Sequence, residues 1–172
     1  YGSGTEWWLN DQTKFNAAKS ELVLLYYHML VNCGRDLAPY TNDQVAWGLR
    51  VLFNNTFGNY IFSLKDLEID EASRLKAIRA IKLLYREVFD RRCLPVLSHF
   101  DEKGGGELEG VCYMFWDVIP LHYIPPEESL LRASQTEAII DVLKHALSSR
   151  DDCSVESALH GLGHMVTSLH GT

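Results

Sequence analysis

The sequence predicts an all-α domain in which the helices pack as antiparallel pairs. Three features favour this fold class: apolar residues recur at steps of three and four positions, long segments lack proline and glycine, and these two residues cluster between the segments. The chain has 172 residues, of which 47% are hydrophobic and 23% are charged. A chain of this length is typical of one domain. We therefore expect a single domain over residues 1–172, with a rigid proline joint near 124–126 before a C-terminal helix pair.

The first half of the chain predicts three amphipathic helices. Residues 11–33 contain neither proline nor glycine, and Gly34 is the expected C-terminal cap. The second helix is expected to begin near Asn42 or Asp43, because these side chains can accept hydrogen bonds from free helix N–H groups. The third helix has Asp70 as its expected N-cap, with apolar residues along one face and mainly Lys, Arg and Glu on the other.

The middle of the chain combines a predicted loop with the most apolar segment. Residues 101–110 contain three consecutive glycines among carboxylates, without the Gly-Lys-Ser/Thr ending of a phosphate-binding loop, so we interpret them as an acidic loop. Residues 111–123 fit a buried helix that ends before Pro120 or a buried strand, and the helical surroundings favour the helix. Asp117 lies within this segment and would need a partner if it were buried.

The C-terminal part predicts two helices, over residues 134–147 and 154–169, joined by the turn SSRDD. On a helical wheel of about 100° per residue, the second of these helices has two arcs. The apolar arc consists of Val155, Ala158, Leu159, Leu162, Met165, Val166 and Leu169. The opposite arc holds Glu156, His160 and His164, which lie one turn apart.

Glu156, His160 and His164 form a candidate metal site. Two imidazoles at positions i and i+4 can share a zinc or another divalent ion, and the carboxylate could add an oxygen ligand. The usual catalytic zinc helix has a glutamate between its two histidines, whereas Gly-Leu-Gly stands there in this chain, so no general base is supplied. A third strong ligand would have to come from another element; the candidates are His145, His122 and His99.

The same face is also a candidate docking surface for a helix or a partner, formed by His160, Gly161, Gly163 and His164. Glycine permits close approach of two backbones, and each glycine lowers helix stability. A packing role would explain two glycines within one helix.

The segment SVESALHGLGHMV resembles the second helix of a HEAT-like repeat, especially the short bacterial kind with its V-R-x-x-A-[AL]-x-x-L-G pattern. The matching positions are Val155, Ala158, Leu159, Leu162 and Gly163, while Glu156 stands where the pattern has arginine. The resemblance covers Ser134 to Leu169, about a fifth of the chain. It implies an α-solenoid fragment that binds other proteins and no catalytic residue; an irregular helical bundle is the alternative arrangement.

Charge and cysteine content limit the classes of partner and compartment. The formal net charge of −7 opposes binding to nucleic acid, and the basic residues Arg86, Arg91 and Arg92 alternate with acidic ones as on a solvated helix face. No run of about 18 apolar residues is present, so no membrane partner is predicted. The four cysteines form no CxxC motif, and we interpret them as reduced apolar residues of a cytoplasmic protein.

These features favour a non-enzymatic protein-interaction module, either a helical-repeat scaffold or an acidic inhibitor of a basic protein. No nucleophile–base motif such as GxSxG occurs, so no catalytic residue and no cofactor are predicted on this interpretation. A metal-binding protein or metal-dependent enzyme using the Glu-x3-His-x3-His face is the first alternative. The second is a helical pocket for a small apolar ligand; its expected lining is Tyr113, Phe115, Trp116 and Tyr123.

Overall fold

The computed structural model describes residues 17–56, 58–97, 105–123 and 129–170, and it describes side chains for all of these except 129–132 and 168–170. Helices dominate these residues and no strand occurs among them, which confirms the predicted all-α class. The predicted joint at 124–126 lies outside the described residues.

Two helices and a short 3-10 segment form the first part of the fold. Helix α1 spans Lys19–Asp36, α2 spans Asn42–Phe53, and the 3-10 segment spans Tyr60–Lys65. Gly34 is not the C-cap, because α1 continues past it and is capped at Leu37. The N-cap of α2 is Thr41, one residue before the predicted position.

A long helix with an internal irregularity forms the centre. Helix α3, Glu71–Leu84, passes into a π-helical turn at Tyr85–Phe89 and ends in α4, Asp90–Arg92. Asp70 is the N-cap of α3, as predicted, and its carboxylate accepts a hydrogen bond from the Ser73 N–H. Tyr85 and Phe89, the first and last residues of the π-turn, are both buried in the core.

The remaining helices surround the central one. Helix α5 spans Glu107–Tyr113, α6 spans Phe115–Val118, α7 spans Ser129–Leu147 and α8 spans Asp152–His170. The helix predicted for the apolar segment is therefore confirmed as two short helices that end before Pro120. Residues 107–110 belong to α5 and not to the predicted loop, whereas 101–104 lie outside the described residues.

The buried side chains form a continuous core between these helices. Helix α1 packs against α3, α2 against α5, and α7 against both α3 and α8. Phe115 lies at the centre, with its ring 5.2 Å from that of Phe53 and 6.0 Å from that of Phe89. The repeat-solenoid arrangement stays a prediction.

The arginines at the C-terminal end of the central helix are paired within the molecule. Arg86 and Arg91 both contact the Glu87 carboxylate. Arg92 donates to the carbonyl oxygens of Leu37 and Tyr40, and so ties the end of the long helix to the end of α1.

The predicted arcs of α8 are partly wrong. Leu159 and Val166 are 59% and 56% exposed, whereas Glu156 is only 8% exposed. The reason is that α8 packs against α5 and α6 as well as α7, so its buried surface is wide and includes small residues such as Ser157 and Gly161. Among the described residues, no helix has both the length and the apolarity needed to cross a bilayer.

Candidate functional site

Asp117 is positioned on α6 by the burial of its two neighbours. Phe115 and Trp116 are fully buried, and they fix the orientation of a helix of only four residues. Pro120 follows shortly afterwards and prevents α6 from continuing. Helix α6 packs against α8, so the Asp117 carboxylate faces that helix.

His160 and His164 meet this carboxylate from α8. The Nε2 atom of His164 lies 2.9 Å from Asp117 Oδ1, and the Nε2 atom of His160 lies 3.2 Å from Asp117 Oδ2. The three side chains are 25–29% exposed. Each imidazole therefore contacts a different oxygen of one carboxylate. The three groups lie at the edge of the core, where solvent can reach them.

Four rings follow one another in a column along this face of α8. The rings of His160 and His164 are 4.9 Å apart and nearly parallel, with an interplanar angle of 26°. Tyr113 continues the stack beyond His160 at 4.6 Å, and His122 continues it beyond His164 at 4.9 Å. This column holds both imidazoles in fixed orientations towards Asp117.

The surroundings favour neutral imidazole at the buried end of the column. Burial lowers the pKa of His122, and the neighbouring His164 lowers it further. Neutral imidazole is the form of histidine that binds metal ions. The Nδ1 atoms of His122 and His160 are buried without a hydrogen-bond partner.

The arrangement has the spacing of a metal-ligand set. One ligand atom from each of Asp117, His160 and His164 can be chosen so that all lie within 4.8 Å of one another. Metal–ligand bonds of about 2.0–2.1 Å would place tetrahedral zinc ligands roughly 3.3 Å apart. The two N–O distances, 2.9 and 3.2 Å, lie slightly below that value and are also those of hydrogen bonds.

The structure brings together two of the three residues of the predicted metal set. His160 and His164 converge, but the carboxylate that joins them is Asp117, and Glu156 lies buried one turn away. Of the other histidines considered as ligands, His122 lies against His164, His145 lies near the end of α7 outside the cluster, and His99 lies outside the described residues.

The two glycines of the predicted docking surface have different surroundings. A Cβ atom on Gly161 would lie 2.6 Å from Trp116 Cδ1 and 2.7 Å from Leu143 Cδ2, so this glycine permits close packing within the chain. Nothing lies within 4 Å of the corresponding position on Gly163, which is exposed.

The four residues predicted to line an aromatic pocket have different surroundings, and the pocket itself stays a prediction. Phe115 and Trp116 are fully buried, Tyr113 stacks on His160, and the Tyr123 ring lies near the ammonium group of Lys65. A cavity of about 550 Å³ lies elsewhere, between α1 and α2, and Leu30 and Trp47 are among its lining residues.

Sequence reasoning missed the pairing of Asp117 with the two histidines. The one available signal was an acidic residue in the most apolar segment, for which a partner was expected. Nothing local linked it to α8, because 47 residues separate Asp117 from His164. The convergence of three cysteines, described below, had no local signal either.

Comparison with protein-family models, with curated proteins and with solved structures gives no match for this chain. The functional argument therefore depends on the chemistry of the site.

Proposed function

We propose that this protein binds a divalent transition-metal ion through His160, His164 and Asp117. The observation that carries the proposal is the approach of two imidazole nitrogens from one helix to the two oxygens of a single carboxylate on another. Two histidines and one carboxylate are a recurrent ligand set for zinc and for non-haem iron. The set is partly exposed, which would leave coordination positions for water or a substrate.

A bound ion would supply Lewis acidity or an activated water at this position. The chain's own residues hold the ligands: the ring column fixes the imidazoles, and the buried neighbours of Asp117 fix the carboxylate. This support replaces the hydrogen bond that a metal-binding histidine usually makes through its other nitrogen. His160 lacks such a partner for Nδ1, so we expect zinc affinity to be moderate.

The experiment is equilibrium dialysis of the chain against Zn²⁺, with bound metal measured for wild type and variants. We expect His160→Ala and His164→Ala to remove one zinc ion per chain, and Asp117→Asn to weaken binding at the same site. His145→Ala is the matched control, because this histidine lies on α7 outside the cluster.

Circular dichroism must show that each variant keeps its helical content. Unchanged zinc content in the folded His160→Ala/His164→Ala double variant would overturn the proposal.

A protein-interaction role is the second candidate function. Leu159 and Val166 are more than half exposed and lie two turns apart on the outer side of α8. Apolar side chains on a helix surface are typical of surfaces that pack against a further helix or a partner. Sedimentation velocity of wild type and Leu159→Lys tests this: a concentration-dependent complex that is lost in the variant supports it, and a monomer in both contradicts self-association.

A further inference from the structure

Three of the four cysteines converge where three elements meet. Cys93 directly follows α4, Cys112 lies in α5, and Cys153 lies in the first turn of α8. Their Sγ atoms all lie within 4.8 Å of one another. Zinc–sulfur bonds of about 2.3 Å would place tetrahedral thiolate ligands roughly 3.8 Å apart, so the three sulfurs are already grouped on the scale of one ion.

Packing between α5 and α8 fixes two of these thiols. Cys112 donates to the carbonyl oxygen of Cys153, and Cys153 donates to that of Glu109, each at 3.7 Å. Both residues are fully buried, whereas Cys93 is half-buried. The cluster is therefore preorganised.

The N-terminal end of α8 favours negative charge at one corner of the cluster. Cys153 lies at the N-terminal end of this helix, where free N–H groups and the helix dipole stabilise negative charge. Interactions with Cys112 and Cys93 lower the pKa of Cys153, whereas its burial and the nearby Glu109 and Glu156 carboxylates raise it, and burial also raises the pKa of Cys112.

Neither ordinary packing nor a disulfide accounts for three grouped sulfurs. A buried free cysteine packs as a small apolar residue, as Cys33 does on α1, and needs no second thiol. A disulfide uses two sulfurs and leaves the third without a role. A thiophilic ion uses all three.

We propose that Cys93, Cys112 and Cys153 form a second metal site, a buried three-thiolate site for a thiophilic ion such as Zn²⁺. Binding forms three metal–sulfur bonds, and each thiol that is protonated beforehand releases its proton to solvent. The ion and three thiolates carry a net charge of −1, which the N-terminus of α8 helps to stabilise. The site shares no ligand with Asp117, His160 and His164, so it does not rest on the proposed function.

Cobalt(II) substitution distinguishes the two sites, because only thiolate ligands give an intense sulfur-to-cobalt charge-transfer absorption in the near ultraviolet. We expect reduced wild-type protein and the His160→Ala/His164→Ala variant to show this absorption on addition of Co²⁺. Cys93→Ser should lose it, and Cys33→Ser, a matched control outside the cluster, should keep it. No absorption in wild type, or an undiminished absorption in folded Cys93→Ser, would overturn the proposal.

Protection from alkylation tests the site without any substitution. With wild-type protein, Zn²⁺ should slow alkylation of Cys93, Cys112 and Cys153 but not of Cys33, as measured by peptide mass spectrometry. Equal rates with and without Zn²⁺, or a disulfide between two cluster cysteines in protein purified under reducing conditions, would contradict it.

Discussion

At the residue scale, the absence of a Cβ atom at Gly161 lets α8 approach α6 closely at the candidate metal site. Helix α8 approaches the Trp116 indole so closely that even a methyl group would meet it at 2.6 Å. Trp116 is the neighbour of Asp117 on α6, so this contact sets the distance between the carboxylate and the two histidines. The glycine is explained by packing inside the chain.

We predict that Gly161→Ala lowers the free energy of unfolding by about 1–3 kcal/mol, because the added methyl group overlaps Trp116 and Leu143. Gly163→Ala is the control on the same helix. Its methyl group meets nothing within 4 Å, and alanine favours the helix, so we expect a gain of about 0.5–1 kcal/mol. Urea unfolding of the two variants measures both effects, and equal effects of the same sign would contradict the packing argument.

A buried series of hydrogen bonds links Tyr85 of the π-turn to α6, α8 and α5. The Trp116 indole N–H donates to the Tyr85 hydroxyl at 2.9 Å, and this hydroxyl bonds to Ser157 Oγ at 2.8 Å. Ser157 in turn donates to the carbonyl oxygen of Cys112. Because each donor in this series of hydrogen bonds has an acceptor, the core can hold a tyrosine and a serine without an unpaired donor.

At the element scale, ion pairs and caps decide where helices begin and how they pair. Thr41 and Gln44 form a capping box, with the Thr41 side chain accepting from the Gln44 N–H and the Gln44 side chain accepting from the Thr41 N–H. This arrangement explains why α2 begins one residue earlier than the predicted caps allow. The sequence pattern T-N-D-Q contains the signal, but Asn42 and Asp43 are equally acceptable caps locally.

Helices α3 and α7 are joined by an ion pair between Arg79 and Asp141, whose atoms lie 3.0 Å apart. The hydrogen bond from Arg79 lowers the pKa of Asp141 below its ordinary value in the folded state. A carboxyl group with a depressed folded-state pKa contributes stability that is present above its unfolded pKa and is lost as the pH falls through the folded value.

We therefore predict that Asp141→Asn costs at most about 1 kcal/mol near neutral pH, since the pair is partly exposed, and costs nothing in strong acid. Denaturant unfolding of wild type and variant at both pH values measures the difference. Glu137→Gln, at an exposed position on the same helix, is the control and should show no such dependence. A difference that is equal at both pH values would argue against the ion pair.

At the scale of the whole molecule, aromatic packing joins the elements into one core. Phe115 contacts the rings of Phe53, Tyr85 and Phe89, which come from α2 and from the π-turn. Phe115 and the adjacent Trp116 are also next to Asp117, so the most buried part of the molecule supports the candidate metal site directly.

We predict that Phe115→Ala lowers the free energy of unfolding by about 3–5 kcal/mol, through loss of buried area and creation of a cavity. Phe62→Ala, at a position that is 37% exposed, should cost much less. Thermal and urea unfolding provide the comparison. A similar cost for both substitutions would show that Phe115 is not central to the core.

The interaction module, the cytoplasmic location and the HEAT-like arrangement remain predictions at this scale. The net charge of −7 still favours basic over acidic partners, because like charges slow association. The exposed Leu159 and Val166 provide a specific surface on which a partner can be sought.

By itself, the sequence determined the helices and the placement of the histidine pair. Apolar periodicity predicts the all-α class, Asp70 marks the start of α3, and a helix of 3.6 residues per turn necessarily places His160 and His164 on one face. These features depend on residues within a few positions of one another, so local sequence contains the information.

Only the tertiary structure decided which residues complete the sites. It joined Asp117 rather than Glu156 to the histidines, grouped Cys93 with Cys112 and Cys153, and exposed part of the predicted apolar arc of α8. Each outcome depends on how α8 is rotated and how closely it approaches α5 and α6. That geometry is set by the packing of many side chains that are distant in sequence, so it cannot be predicted from a short sequence motif.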